Sequence, residues 1–166
     1  MKTKNKFQKS NPLAKALKLL TIRPRTQKEL TQRLLEIGYT KDEINPVVSR
    51  LINLGYLDDI KFMESWCYYR QHISPKSRWY VLRELSLKGI SPDDLEAHFN
   101  RFYTEEEEWG CLKRLMEKKL AKLNMTENSL NEKDFRKIVS AFLRKGFQHQ
   151  QIMDMISQLR PKYLDN

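Results

Sequence analysis

The sequence predicts an all-α protein: nine helices forming three tandem three-helix repeats, stacked as an elongated rod that small angles between units would curve. Three observations lead there. The 166 residues contain only 5 glycines and 6 prolines, about half of average usage, which leaves little room for a loop-rich chain. Between capping signals, apolar residues recur at three- and four-residue spacing, and no stretch alternates as a strand would. Finally, Gly38, Gly89 and Gly146 stand in register. Eight residues upstream of them are Leu30, Val81 and Ile138, and four upstream are Leu34, Leu85 and Phe142. The next residue is large and apolar each time (Tyr39, Ile90, Phe147), followed six downstream by Ile44, Leu95 and Ile152, and ten downstream by Val48, Phe99 and Ile156. The periods of 51 and 57 residues suit a three-helix unit too small to bury a core without help from its neighbours.

Each helix has its own signals. Asn11-Pro12 is an N-cap and first-turn proline ahead of Leu13, Ala16, Leu17 and Leu20, and Pro24 sets the limit of that helix. Thr26-x-x-Glu29 and Thr40-x-x-Glu43 read as capping boxes, ahead of Leu30, Leu34 and Ile37, and of Ile44, Val47, Val48, Leu51 and Leu54. Gly38 and Gly55 are the stops. Pro46 either kinks the third helix or marks a later start at Asn45-Pro46. Asp58 or Asp59 opens a helix carrying Phe62, Met63, Trp66, Cys67 and Ile73, and Ser74-Pro75 opens the next, with Val81, Leu82 and Leu85. Ser91-Pro92-Asp93-Asp94 starts the stripe Leu95, Phe99, Phe102. Thr104 and the acids Glu105 to Glu108 start the longest helix, through Trp109, Leu112, Leu115, Met116, Leu120 and Leu123. Asn131 to Lys145 and a stretch through Ile152, Met155, Ile156 and Leu159 complete the nine. The expected division is a basic flexible tail over 1–10, then units over 11–56, 57–103 and 104–166.

Charge is unevenly distributed. Residues 1–40 hold ten Lys/Arg against Glu29 and Glu36, whereas residues 91–130 hold six against nine acids, within a net charge of +10. A cationic front end attracts polyanions, because phosphates release condensed counterions when they meet Lys and Arg. Catalytic patterns are scarce. His72, His98 and His149 lack metal-ligand spacing, no glycine-rich phosphate loop occurs, and Asp58-Asp59 reads as helix capping rather than a magnesium site with Glu64. Cys67 and Cys111 lie on or beside apolar stripes and read as packing thiols. No catalytic residue, metal or cofactor is expected. The N-terminal lysines lead into no apolar h-region and no long apolar run follows, so a cytoplasmic protein without a membrane span is expected.

Two likenesses bear on function. Leu17 to Leu57, with its Thr-x-x-Glu-Leu entry and Leu-x-x-Leu-Gly-Tyr-Leu end, resembles the three helices of a winged-helix domain, whose third helix around Lys41–Arg50 would enter the major groove of DNA. A DNA-binding transcriptional regulator using the first unit is the alternative this implies. The wing is missing, because Asp58 to Ile73 has helical spacing and no turn pair. The second likeness spans nearly the whole chain. Gly55-Tyr56-Leu57-Asp58-Asp59 with Phe62, followed by Arg83-Glu84-Leu85 and Lys88-Gly89-Ile90, resembles the RecX family of recombinase regulators. That resemblance implies a modular helical protein that binds the RecA-type recombinase filament in its groove, inhibits ATPase and strand exchange, and binds single- and double-stranded DNA with little sequence preference.

The candidate contacts are basic side chains. Lys15, Lys18, Arg25, Lys28 and Arg33 belong to the first unit, and Arg50, Lys61, Arg70, Lys76, Arg78 and Arg83 to the junction with the second. Gly55 to Phe62 is read mainly as a hinge, and Tyr56 and Phe62 as packing residues rather than base-stacking platforms. A monomer is expected, since nothing in the pattern specifies a dimer.

Overall fold

The computed structural model describes residues 11–122 and 132–163, with side chains through 159. Nine helices and no strand occur among the described residues. They are α1 (Pro12–Ile22), α2 (Gln27–Ile37), α3 (Lys41–Asn53), α4 (Asp59–His72), α5 (Arg78–Lys88), α6 (Pro92–Phe102), α7 (Glu105–Ala121), α8 (Glu132–Leu143) and α9 (His149–Tyr163). The expected tail over 1–10, and the end of the α7 stripe at Leu123, lie outside the described residues.

Local signals account for most helix ends. Asn11 caps α1 by accepting from the Leu13 N–H at 2.9 Å. Thr40–Glu43 and Thr104–Glu107 both close as capping boxes. Gly38 and Gly89 end α2 and α5 at φ of 101° and 95°, a left-handed conformation that glycine adopts without a Cβ penalty. α3 starts at Lys41 and runs through Pro46, so the later start is ruled out. Pro46 is the sixth residue of α3, past the orphan N–H groups of the first turn, so the helix forgoes one backbone bond, to the Asp42 carbonyl. Asp58 is the cap of α4, accepting from the Ile60 and Lys61 N–H groups.

Two expectations are corrected. Ser74-Pro75 does not open α5; the N-cap is Ser77, which accepts from the Tyr80 N–H at 3.2 Å. The chain before it turns back on α4 through Ser74 N to Tyr69 O and Lys76 N to Arg70 O, so Pro75 sits in a connection. At Thr26 only half of the box forms. The hydroxyl oxygen accepts from the Glu29 N–H, but the Glu29 carboxylate turns away to Arg23 and Lys88.

Three clusters of buried side chains follow one another along the chain. The first gathers Ala16, Leu30, Leu34, Tyr39, Ile44, Leu51 and Leu57. The second is built on Met63, Cys67, Val81, Leu85, Ile90, Phe99 and Tyr103, and the third on Leu112, Met116, Ile138, Phe142, Phe147, Ile152 and Met155. Every position of the glycine register is buried in its cluster except Val48 and Leu95, which are partly buried. Deleting one such leucine down to alanine typically costs about 2–5 kcal/mol, so each cluster strongly constrains its three helices. α4 begins two residues after Leu57, which leaves no room for the β-ribbon of a winged helix.

Candidate interaction surface and the joints that shape it

The units join by a repeated arrangement. In the first joint, the N-terminus of α2 sits on the glycine corner that ends α5. The Thr26 hydroxyl donates to the Lys88 carbonyl at 2.6 Å, and Asp59 of α4 accepts from the Gln27 N–H at 2.9 Å. In the second joint, the N-terminus of α5 sits on the corner that ends α8. Ser77 N–H donates to the Lys145 carbonyl at 3.0 Å, and Glu108 of α7 accepts from the Arg78 N–H at 2.7 Å. Thr26 and Ser77, Gln27 and Arg78, and Gly89 and Gly146 are thus equivalent pairs. In each case a carboxylate from the following unit meets the positive end of a helix dipole and satisfies an orphan N–H.

Ion pairs and aromatic rings reinforce the first joint. Lys88 Nζ lies 2.7 Å from Glu29 and 4.2 Å from the centroid of the Trp66 ring. Behind Lys88, inside the second unit, Trp66 Nε1 donates to Glu84 at 3.0 Å, and Arg70 grips the same carboxylate through two bonds of 2.8 and 2.6 Å. Burial works against the Glu29 carboxylate, but the bonds from Lys88 and Arg23 outweigh it and hold its pKa below the usual glutamate value. Burial dominates at Asp59 and raises its pKa, with the Gln27 N–H opposing and Asp94 adding to the rise.

Beside the second joint, two bonds inside the second unit brace its end: the Tyr103 hydroxyl donates to Lys76 O at 2.8 Å, and Gln71 Nε2 donates to Phe102 O at 2.7 Å. Gln151 Nε2 donates to Glu108 at 3.1 Å, bringing α9 into the joint. Burial, and then Lys76, lower the pKa of the Lys145 ammonium, whose Nζ reaches Pro75 O at 3.4 Å. Cys67 is buried and its thiol is pushed up to about 12, while burial also raises Cys111; neither is poised as a nucleophile.

The eleven basic candidates meet different surroundings. Arg70 and Arg78 are internal braces. Arg70 holds Glu84 and Ser74, and Arg78 donates to Tyr103 O at 2.8 Å, pairs with Glu105 and bonds Asn100. Arg25 is partly buried, donates to Leu19 O at 3.4 Å, and has its pKa lowered by burial and then by Arg23. Lys28 bonds Leu87 O, Arg33 pairs with Glu36, and Lys61 with Asp58, each on an exposed side chain. Lys76 stacks on Tyr80 and Arg83 on Trp79. Lys15, Lys18 and Arg50 have no ion pair among the described residues. The structure therefore gathers the motif residues Asp59, Phe62, Lys88 and Gly89 at the first joint, with Glu84 bound inside the second unit, while most of the basic candidates lie outside it.

Tyr56 is a further correction: it is 63% exposed, whereas Phe62 is buried as expected. After Gly55, both Tyr56 N and Leu57 N bond to Leu51 O, and it is Leu57 that turns into the core. Tyr56 is left beside Arg25, Lys61 and Ser65 on a cavity of about 250 Å³. The sequence reading missed Glu108, Lys145 and Asp59's role toward α2. Glu108 carried a legible signal, since it lies four residues before Leu112 and eight before Met116 on the buried face of α7.

Comparisons with known proteins agree with one another. A family model described as RecX, first three-helix domain, matches residues 13–51. A protein of Pelodictyon phaeoclathratiforme named Regulatory protein RecX is 32% identical over 145 residues, covering 87% of this chain and 86% of its own. One of the same name from Mycobacterium tuberculosis is 30% identical over 135 residues, covering 81% and 77%. The crystal structure of RecX from Lactobacillus salivarius superposes with a TM-score of 0.72 at 26% identity, across 90% of this chain and 95% of that one.

Proposed function

The chain belongs to the RecX family of regulatory proteins, and from that premise we propose that it binds the filament of a RecA-type recombinase and lowers its ATPase and strand-exchange activity. DNA contact without strong base preference is auxiliary to this. The chain acts as a monomer of three units, over 11–56, 57–103 and 104–166, behind a basic tail over 1–10.

The observation that carries this reading is the serial joint. Two equivalent carboxylate-capped contacts, Asp59 on α2 and Glu108 on α5, hold three small units in a definite order. A series of units joined this way offers one long contact surface, suited to a partner that is itself a repeating polymer. Lys15, Lys18 and Arg50 supply positive charge on the first unit that is not consumed by internal pairing, and Lys28, Arg33, Lys61, Lys76 and Arg83 extend it on exposed or stacked side chains. Arg25 supports the surface from a partly buried position.

Regulation of a filament requires differential affinity, since a ligand that binds two states equally shifts nothing. A series of units with set joints achieves this when its spacing fits one filament pitch better than another. In the direct test, purified protein is titrated into a single-stranded-DNA-dependent ATPase assay of the cognate recombinase. The expected outcome is a saturable fall in turnover; unchanged turnover at saturating protein would falsify the proposal.

A further inference from the structure

The two joints share a plan but not a set of partners, and the difference isolates one lysine. Lys88 and Lys145 stand in the same place, each just before a corner glycine. The carbonyl of each accepts from the cap of the docked helix, the Thr26 hydroxyl in one joint and the Ser77 N–H in the other. At the first joint the Lys88 ammonium is neutralised by Glu29 at 2.7 Å and lies over the Trp66 and Phe62 rings at 4.2 and 5.5 Å. The second joint has other residues in those places. Glu29 follows its cap by three positions, and the residue that follows Ser77 by three is Tyr80. Phe62 and Trp66 follow the capping Asp59 just as Cys111 and Leu115 follow the capping Glu108. Lys145 has therefore lost both the carboxylate and the rings.

Its surroundings are positive instead. Lys145 Nζ reaches Pro75 O at 3.4 Å and has no ion pair among the described residues. Lys76, the next residue after Pro75, is also without an ion pair there and lays its ammonium on the Tyr80 ring at 4.2 Å. Arg70 of α4 bonds Ser74 on the same turn, but its charge is committed to Glu84. Glu108 of α7 is taken up by the Arg78 N–H and Gln151. Burial, and then Lys76, hold the Lys145 pKa below the ordinary lysine value; Arg70 adds to the fall, and Cys111 opposes it. The Cys111 thiol is itself kept protonated by burial. An amine so placed is neutral more often than a solvated lysine, which makes it the better nucleophile. The cations beside it attract an anionic reagent, and Lys145 is only partly buried.

We propose that Lys145 is an acyl-acceptor site, modified by small acyl phosphates at the joint between the second and third units. The neutral amine attacks the acyl carbonyl carbon and a C–N bond forms. The bond from that carbon to the phosphate oxygen breaks, inorganic phosphate leaves with the electron pair, and the amine's proton passes to solvent. Lys76 supplies positive charge for the departing phosphate. The amide product keeps an N–H for Pro75 O and sheds the charge that Lys76 and Arg70 repel. None of this rests on the recombinase reading.

The test incubates the full chain with acetyl phosphate and follows each lysine by peptide mass spectrometry. Near pH 7, Lys145 should acetylate roughly threefold or more faster than the exposed Lys18, and faster still than Lys88. Its advantage over Lys18 should shrink as pH rises toward the ordinary lysine range. Tyr80→Glu places a carboxylate where the first joint has Glu29, and should bring Lys145 down toward the Lys88 rate. Lys76→Gln, a second and milder variant, should slow Lys145 and leave Lys18 unchanged. A Lys145 rate no greater than that of Lys18, an advantage independent of pH, or indifference to both substitutions overturns the proposal. Neither recombinase nor DNA enters this assay, so failure here and failure of the ATPase test are independent.

Discussion

Gly89 and Gly146 each answer to two demands, whereas Gly55 answers to one. All three have positive φ, of 95°, 89° and 74°. A Cβ at Gly89 would stand 2.4 Å from Lys28 Cβ, and one at Gly146 would stand 2.4 Å from Ser77 Oγ and 3.0 Å from Tyr80 Cβ, while one at Gly55 would meet nothing within 4 Å. Gly55→Ala should therefore cost only the left-handed backbone strain, about 1 kcal/mol. Gly89→Ala and Gly146→Ala must also push back the helix that docks on them and should each cost about 2–3 kcal/mol. Urea denaturation of the three variants would check the order, and equal costs would count against the docking geometry. The register of the three glycines was legible in the sequence because periodicity is local. The close approach that makes two of them joints was not, since it involves residues 61 to 69 positions away along the chain.

At the scale of elements, α2 and α5 are each capped by a residue of the next unit. Propensity rules see Thr26 and Ser77 but cannot see Asp59 and Glu108, because no sequence window contains both partners. The same blindness misassigned Glu29. Its spacing from Thr26 suits a capping box, yet Lys88 offers a charge-assisted bond that an N-cap amide cannot match. This has a consequence for pH. The folded Glu29 has a lowered pKa, so the stability it contributes is present above its ordinary value of 4.5 and lost as pH falls through the folded value. Glu29→Gln should thus destabilise by about 1–2 kcal/mol near pH 7, with the difference from wild type vanishing on acidification. Asp59 has the opposite sign: its raised pKa gives stability below 3.8 that is lost as pH rises through the folded value. Asp59→Asn, which keeps an acceptor for the Gln27 N–H, should leave stability near pH 7 unchanged or raised. Thermal melts across pH for both variants test the pair of signs together.

Across the whole molecule, charge is arranged at two ends rather than one. Window sums place the excess in residues 1–40 and make residues 91–130 net acidic. A cavity lined by Lys119, Arg136, Lys137 and Arg144 escaped that arithmetic, because Lys119 comes from the acidic window and the other three from beyond it. If both ends touch one nucleic-acid backbone, their losses should add. Lys15→Gln with Lys18→Gln, combined with Lys119→Gln and Arg144→Gln, should reduce the single-strand salt slope by about twice the effect of either pair alone. A combined effect no larger than one pair would mean that the two ends compete for the same contact.

By itself the sequence determined the helices and the three-unit repeat, because capping and a 3.6-residue period act over a few residues and need no knowledge of the fold. It also carried the family likeness. Only the tertiary structure decided what the charged side chains do. Arg70 and Arg78 became braces, Lys88 and Glu29 a clasp, and Lys119 and Arg144 the walls of a groove. The physical reason is range: the side chain a charge meets is set by how helices distant in sequence pack together, and the same lysine reads alike in a string whether it ends in solvent, in an ion pair or over an aromatic ring.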